Sequence, residues 1–301
     1  MALNLAGIFP PICTPFLAGG GVAFRHLRAN LEKYNRIPLS GYVAAGSTGE
    51  SAFLTRSEKL RIWAAVRESA APGRLVIAGA GSESVQGTIE LVVAAAERNC
   101  DAVLVLTPHY YKGQMTRPES QIGYFRAVAD AARIPVLIYN FPQVTGIDLP
   151  VDVVRQLAEH RNIAGVKESS PDLEKIASLI AAVPQGFPVL IGASTKYAAS
   201  LSMGATGGIL AVANALPAAA MEIHQRHCAG DPDGARDAQG RIAEAAGVAP
   251  RFGIQGLKYA MDLMGLYGGP VRPPLLPVSA QEKCTIEAMF QGFRPADRSN
   301  S

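Results

Sequence analysis

Ile163-Ala164-Gly165-Val166-Lys167-Glu168-Ser169-Ser170 is an apolar, β-favouring run that ends on a lysine and turns abruptly polar. That is the pattern of a buried parallel strand reaching the mouth of a barrel. A lysine there stands in a cleft, where desolvation lowers its pKa and frees the amine to attack a carbonyl as a Schiff-base nucleophile. On this stretch alone, a strand-end lysine that carries its ammonium out to solvent is the commoner arrangement.

Outward from this run, short β-type segments alternate with longer Ala/Leu/Glu/Arg-rich ones, the signature of repeated βα units around a parallel sheet. Eight runs are placed, at 7–14, 41–45, 75–78, 102–106, 136–139, 163–167, 188–191 and 208–210. Their spacing of roughly thirty residues suits a strand, a loop, a helix and a loop. Segments 57–66 and 173–180 repeat apolar residues at helical spacing, as helices facing a sheet do. Eight units argue for a closed (β/α)8 TIM barrel. An open doubly wound sheet would want GxGxxG after its first strand, and Pro10-Pro11-Ile12-Cys13-Thr14-Pro15 is not that.

The barrel is expected to occupy residues 1–217, with a C-terminal helical region at 218–301 packed on it, because no linker-like composition separates the two. Within that region Asp231-Pro232-Asp233-Gly234 reads as a turn. Gly268-Gly269-Pro270 with Pro273-Pro274 ends the last well-patterned helix, and Ser299-Asn300-Ser301 should fray.

Composition narrows the function. The 301 residues are 49% apolar and 18% charged with net charge +3, which fits neither a disordered chain nor one built for nucleic acid. The four cysteines are far apart with no CxxC or Cys/His ligand spacing, so reduced and mostly buried thiols are expected, and no metal site. His224 and His227 lack an acidic or cysteine partner nearby and read as surface residues. The N-terminus has no signal-peptide pattern and no run of about 18 apolar residues could span a bilayer, giving a soluble cytoplasmic expectation with no membrane partner.

A barrel enzyme places its chemistry on loops at the C-terminal ends of its strands. After the second run comes Gly46-Ser47-Thr48-Gly49-Glu50, two hydroxyls between glycines with backbone N–H groups able to converge on a small carboxylate; a turn capping the next helix would look the same. After the fourth comes Thr107-Pro108-His109-Tyr110-Tyr111-Lys112, an exposed aromatic pair suited to packing or subunit contact. The fifth ends in Tyr139-Asn140-Phe141-Pro142, where a phenol could shuttle protons, although a lone strand tyrosine is more often packing. Gly192 and Gly207-Gly208 follow or form the last two strands and read as close backbone approach to Lys167. An amine, a phenol and a carboxylate cradle on one rim make up what is needed to bind a 2-oxo acid as an imine and add or remove an aldehyde at the next carbon.

These motifs, with Gly204-Ala205-Thr206-Gly207-Gly208, resemble in order the pyruvate-dependent class I aldolases that include dihydrodipicolinate synthase and N-acetylneuraminate lyase. The resemblance implies that Lys167 forms the imine with pyruvate and that Tyr139 is the acid/base above it. It implies that Ser47 relays protons to Tyr110 of a neighbouring subunit, and that the Gly46-Ser47-Thr48 turn offers the Ser47 and Thr48 amides to the pyruvate carboxylate. The Ile209 carbonyl would face the lysine. No cofactor is implied beyond the covalent imine, the partners are pyruvate and an aldehyde, and the assembly is a homotetramer of tight dimers.

Two subfamily marks differ. Where dihydrodipicolinate synthases carry an arginine for the carboxylate of aspartate semialdehyde, this chain has Val144; where sialic acid lyases carry acids for sugar hydroxyls, it has Ser194-Thr195-Lys196. Gly7-Ile8-Phe9-Pro10-Pro11, Tyr110-Tyr111-Lys112-Gly113-Gln114-Met115, Arg251-Phe252-Gly253-Ile254 and Gly268-Gly269-Pro270-Val271-Arg272-Pro273-Pro274-Leu275 are similar to 4-hydroxy-2-oxoglutarate aldolases, which have Asn where Thr48 stands. The expectation is therefore a lyase interconverting 4-hydroxy-2-oxoglutarate with pyruvate and glyoxylate. The alternatives are a dihydrodipicolinate synthase condensing pyruvate with aspartate semialdehyde, and a non-catalytic 2-oxo-acid-binding protein.

Overall fold

Eight parallel strands form one sheet: β1 (Gly7–Ile8), β2 (Gly41–Ala44), β3 (Leu75–Gly79), β4 (Ala102–Leu106), β5 (Val136–Asn140), β6 (Ile163–Glu168), β7 (Val189–Ile191) and β8 (Gly207–Gly208). The computed structural model describes residues 3–294, so Met1, Ala2 and the Ser299-Asn300-Ser301 end expected to fray lie outside the described residues. The strands pair in the order β1-β8-β7-β6-β5-β4-β3-β2. An isolated parallel bridge between Pro11 and Val43 brings the first and second units together and closes the hoop. The Ile12 N–H donates to the Val43 carbonyl at 2.8 Å and the Val43 N–H to Pro10 at 3.0 Å.

The strands are apolar on both sides because both are covered. Inward-facing Phe9, Val43, Ile77, Leu104, Leu137, Leu190 and Ile209 fill the barrel together with Tyr139. The alternate residues face the surrounding helices, among them Arg56–Ser69, Val85–Ala96 and Leu173–Ala182. The first of these opens with a capping box: the Thr55 side chain accepts from the Glu58 N–H while the Glu58 carboxylate accepts from the Thr55 N–H.

Two strands end earlier than expected. β1 spans only Gly7–Ile8 of the expected 7–14, because Pro10 and Pro11 carry no N–H. β8 ends at Gly208, although the Ile209 N–H still donates to the Ile191 carbonyl at 2.9 Å.

Beyond residue 217 the chain is helical, with Pro217–Cys228, Pro232–Arg241, Val248–Leu263 and Ala280–Phe290 as its longer helices. Asp231-Pro232-Asp233-Gly234 begins a helix instead of making a free turn, with the Asp231 carboxylate accepting from the Gly234 N–H at 2.8 Å and Pro232 in the first turn. A further helix follows Pro273-Pro274, opened by a Ser279/Glu282 capping box and buried through Ile286 and Phe290. His224 is not a surface residue: it is buried, and its Nδ1 lies 2.9 Å from the Tyr197 hydroxyl. All four cysteines are free, as expected, but only Cys13 and Cys100 are buried, whereas Cys228 and Cys284 are exposed. No helix among the described residues is long and apolar enough to cross a membrane.

Candidate active site

Tyr139 and Lys167 are direct partners in the β5–β6 ladder, both pointing into the barrel near its C-terminal mouth. Lys167 is 5% exposed and its Nζ lies 3.9 Å from the centroid of the Tyr139 ring. Burial pulls the lysine pKa down from 10.5 to about 7. Among the described residues Nζ has neither an acidic partner nor a hydrogen-bond acceptor, which leaves only the face of the Tyr139 ring to favour the ammonium. An amine in this state is a nucleophile near neutral pH.

The Tyr139 phenol is also buried, which raises its pKa; the Ser47 and Ser169 hydroxyls work in the opposite direction, and the nearby Glu168 carboxylate adds to the rise. Its ring stacks on Phe141 at 5.6 Å between centroids. Gly192, at the end of β7, leaves room for the lysine: a Cβ there would run into Ser169 Oγ and stand 3.0 Å from Lys167 Cε. The expected close approach to Lys167 is present at this glycine but not at Gly207 and Gly208, where a Cβ would instead meet Gly7 and Leu5, and Leu210 and Tyr197.

The turn after β2 is a single 3-10 turn over Ser47–Gly49. Two non-glycine residues in left-handed conformation bracket it, Ala45 at φ 53° and Glu50 at φ 58°. The N–H groups of Gly49 and Glu50 close the turn onto the carbonyls of Gly46 and Ser47, at 2.9 and 3.0 Å. Those of Ser47 and Thr48 make no hydrogen bond to the described residues and remain free for an anion. Thr14 Oγ1 donates to the Gly49 carbonyl at 2.7 Å and fastens the turn to the first unit.

The other expected residues lie around the Tyr139–Lys167 pair. Ile209 is buried against β7. Tyr110 is 76% exposed and Tyr111 72%, their rings edge to face at 5.1 Å, and within one chain Tyr110 makes no hydrogen bond to Ser47. The Glu83 carboxylate sets their loop by accepting from the His109 and Tyr110 N–H groups, each at 2.8 Å. Val144 is 54% exposed on the short helix Pro142–Thr145. A cation does lie close by: Lys112 Nζ is 2.7 Å from where a Cβ of Gly146 would stand, and it has no acidic partner among the described residues.

Residues beside Tyr139 and Lys167, not evident as site residues from sequence, form a second layer outside the barrel. Along a strand successive side chains alternate, so Asn140 and Glu168 point away from the cavity that Tyr139 and Lys167 enter. Asn140 Nδ2 donates to Glu168 Oε2 and to Asp148 Oδ1, both at 2.8 Å, and Asn140 Oδ1 accepts from the Leu149 N–H at 3.1 Å. Glu168 Oε1 accepts from the Ser170 N–H at 2.7 Å, and Lys175 Nζ lies 3.4 Å from Glu168 Oε2 while also contacting Asp148. This network ties β5 and β6 together immediately behind Tyr139 and Lys167. The signal for it in the sequence is the amide and the acid that directly follow those two residues. No group of three or more His, Cys, Asp or Glu residues able to hold a metal ion occurs among the described residues.

Comparison with known proteins gives a consistent picture. Residues 4–292 match the Dihydrodipicolinate synthetase family. A 4-hydroxy-tetrahydrodipicolinate synthase of Methanothrix thermoacetophila is 34% identical over 285 residues, covering 93% of this chain and 94% of that protein. The crystal structure of a dihydrodipicolinate synthase from Bacillus anthracis superposes with a TM-score of 0.92 at 26% identity, covering 98% of this chain and 100% of the other. That of the chloride-inhibited dihydrodipicolinate synthase from Acinetobacter baumannii, complexed with pyruvate, gives 0.91 at 30% identity, covering 96% and 98%.

Proposed function

The chain belongs to the Dihydrodipicolinate synthetase family of pyruvate-dependent carbon–carbon lyases, and we propose that it carries pyruvate as an imine on Lys167. The observation behind this reading is the buried Lys167 amine, drawn down to about pKa 7 and held against the Tyr139 ring. The amine adds to the ketone carbon of pyruvate and water leaves, giving the imine. Loss of a methyl proton gives the enamine, whose carbon adds to the carbonyl of an aldehyde. Water then releases the product and returns the amine; cleavage runs the same steps backwards. Tyr139 moves the protons at the imine, with Ser47 linking its phenol to Tyr110 of a neighbouring subunit in a homotetramer of dimers. The free Ser47 and Thr48 N–H groups hold the pyruvate carboxylate.

For the aldehyde, the relatives support the synthase reading over the 4-hydroxy-2-oxoglutarate reading: condensation with aspartate semialdehyde as a 4-hydroxy-tetrahydrodipicolinate synthase. Lys112, lying over Gly146, supplies a cation on the rim near Val144 that can take the acceptor carboxylate. The second reading, cleavage of 4-hydroxy-2-oxoglutarate to pyruvate and glyoxylate, is favoured by Val144 itself, which offers no bidentate clamp. Borohydride reduction with pyruvate followed by peptide mapping tests the imine, and an unlabelled Lys167 would sink the mechanism. Parallel assays with aspartate semialdehyde, glyoxylate and 4-hydroxy-2-oxoglutarate rank the two readings. Imine formation without turnover of any aldehyde would favour a binding protein instead.

A further inference from the structure

We propose that a buried ion pair between Glu50 and Lys258 makes the C-terminal helical region a positioning element of the carboxylate cradle. The inference rests on the reading that the Ser47 and Thr48 amides bind a 2-oxo acid. Glu50 ends the cradle turn in left-handed conformation, at φ 58° and ψ 38°, a backbone state that a non-glycine residue keeps only when its surroundings impose it. Its carboxylate reaches away from the pocket to the C-terminal region. Oε1 lies 2.5 Å from Lys258 Nζ, both side chains being 1% exposed, and Oε2 accepts from the Arg272 N–H at 2.8 Å.

Glu50 Oε1 has no hydrogen-bond partner among the described residues and lies against Lys258 Nζ as its direct countercharge, with the Arg272 cation also acting on the carboxylate. Lys258 in turn donates to the Pro270 carbonyl at 2.8 Å. The Arg272 guanidinium donates to Phe53 at 2.7 Å, to Gly20 at 2.7 Å and to Glu58, so the segment after Gly268 is clamped to the loops on both sides of the cradle. A carboxylate buried this deeply is held only while its countercharge is present, and the backbone that carries it is then held too. Ser47 and Thr48 lie within one turn of that anchor, where a small rotation of the backbone would re-aim both N–H groups.

Lys258 and Glu50 therefore act as positioning residues, not as groups that touch substrate. The test is the pyruvate concentration that half-saturates borohydride trapping at Lys167, measured beside kcat and KM on the full chain. Lys258→Met should raise the half-saturating concentration and KM for pyruvate by about tenfold or more, the size expected when a hydrogen bond to a charged group is lost, with a much smaller change in kcat. Glu50→Gln, which keeps the shape and one acceptor but turns the other oxygen into an NH2 donor, should raise them less. If Lys258→Met fails to fold, Glu50→Gln/Lys258→Met removes the unpaired charge and should fold with pyruvate half-saturation still raised. Wild-type-like half-saturation in whichever Lys258 variant folds, or a fall in kcat with KM unchanged, overturns the inference. Absence of a Lys167 adduct in the wild-type chain overturns the functional reading instead.

Discussion

Tyr139 and Lys167 face each other across one rung of the β5–β6 ladder, with the amine 3.9 Å from the ring centroid. Adjacent parallel strands thus deliver an amine and a phenol to one point.

Trapping of pyruvate on Lys167 should accelerate as pH rises through about 7 and then level off, whereas an ordinary lysine would keep gaining to its usual 10.5. Stability carries the opposite side of the same shift. The unfolded chain binds the Lys167 proton below about 10.5 and the folded chain only below about 7, so the stability attributable to this residue falls as pH drops through that window and is constant below it. Lys167→Met should abolish trapping and raise folding stability at neutral pH, by up to a few kcal/mol in denaturant titrations. A Lys167→Met chain less stable than wild type at neutral pH would contradict the burial cost.

Tyr139→Phe keeps the ring under the amine and removes the phenol proposed to carry the proton. Turnover should fall by ~10²–10⁴-fold while the borohydride adduct at Lys167 still forms, more slowly. Loss of the fold, read by circular dichroism, would make the tyrosine a packing residue instead.

Much of this pair is legible in the sequence. Lys167 ends an apolar run, and although that run alone reads more readily as a lysine reaching solvent, the Tyr139 and Gly46–Glu50 strand ends on the same rim place its amine in a shared cleft. The run at 102–106 coincides with β4 as observed, because uninterrupted Ala/Val/Leu sequence has no polar residue to blur its edges. Asn140 and Glu168 are illegible because the residue after a strand-end functional group reads as the start of a polar loop. Only the alternation of a strand continuing one residue further sends them outward to Asp148 and Lys175. His224 reads as a surface residue because its partner Tyr197 lies on another helix and no local periodicity reports that contact. Glu50 and Lys258 are distant in sequence, and nothing near either announces the other.

Gly192→Ala should cost both activity and stability. The added methyl has to displace Ser169 Oγ or Lys167 Cε, and overpacking of this kind typically costs about 1–3 kcal/mol. Thermal unfolding and the trapping rate measured together should both decline; an unchanged trapping rate would mean the lysine has more room than the structure gives it.

Lys112→Met should raise KM for the carboxylate-bearing aldehyde by roughly tenfold, in line with the loss of one charged contact, while trapping of pyruvate alone stays as in wild type. An equal effect from Lys196→Met, on the 3-10 turn after β7, with none from Lys112→Met would move the acceptor carboxylate to the other side of the mouth.

The bridge that closes the barrel between Pro11 and Val43 has a kinetic meaning. Elsewhere the hoop is stitched by strand ladders, but at this seam the prolines leave only a few donors, those of Ile12 and Val43 among them. Amide hydrogen exchange should find its earliest protected-to-open transition here, with Ile12 and Val43 exchanging ahead of the β4 and β5 amides. Because the Ser47–Gly49 turn follows directly from β2, breathing at the seam would loosen the proposed carboxylate cradle before the surroundings of Lys167, and a 2-oxo acid bound as proposed should slow that breathing from outside the ladder.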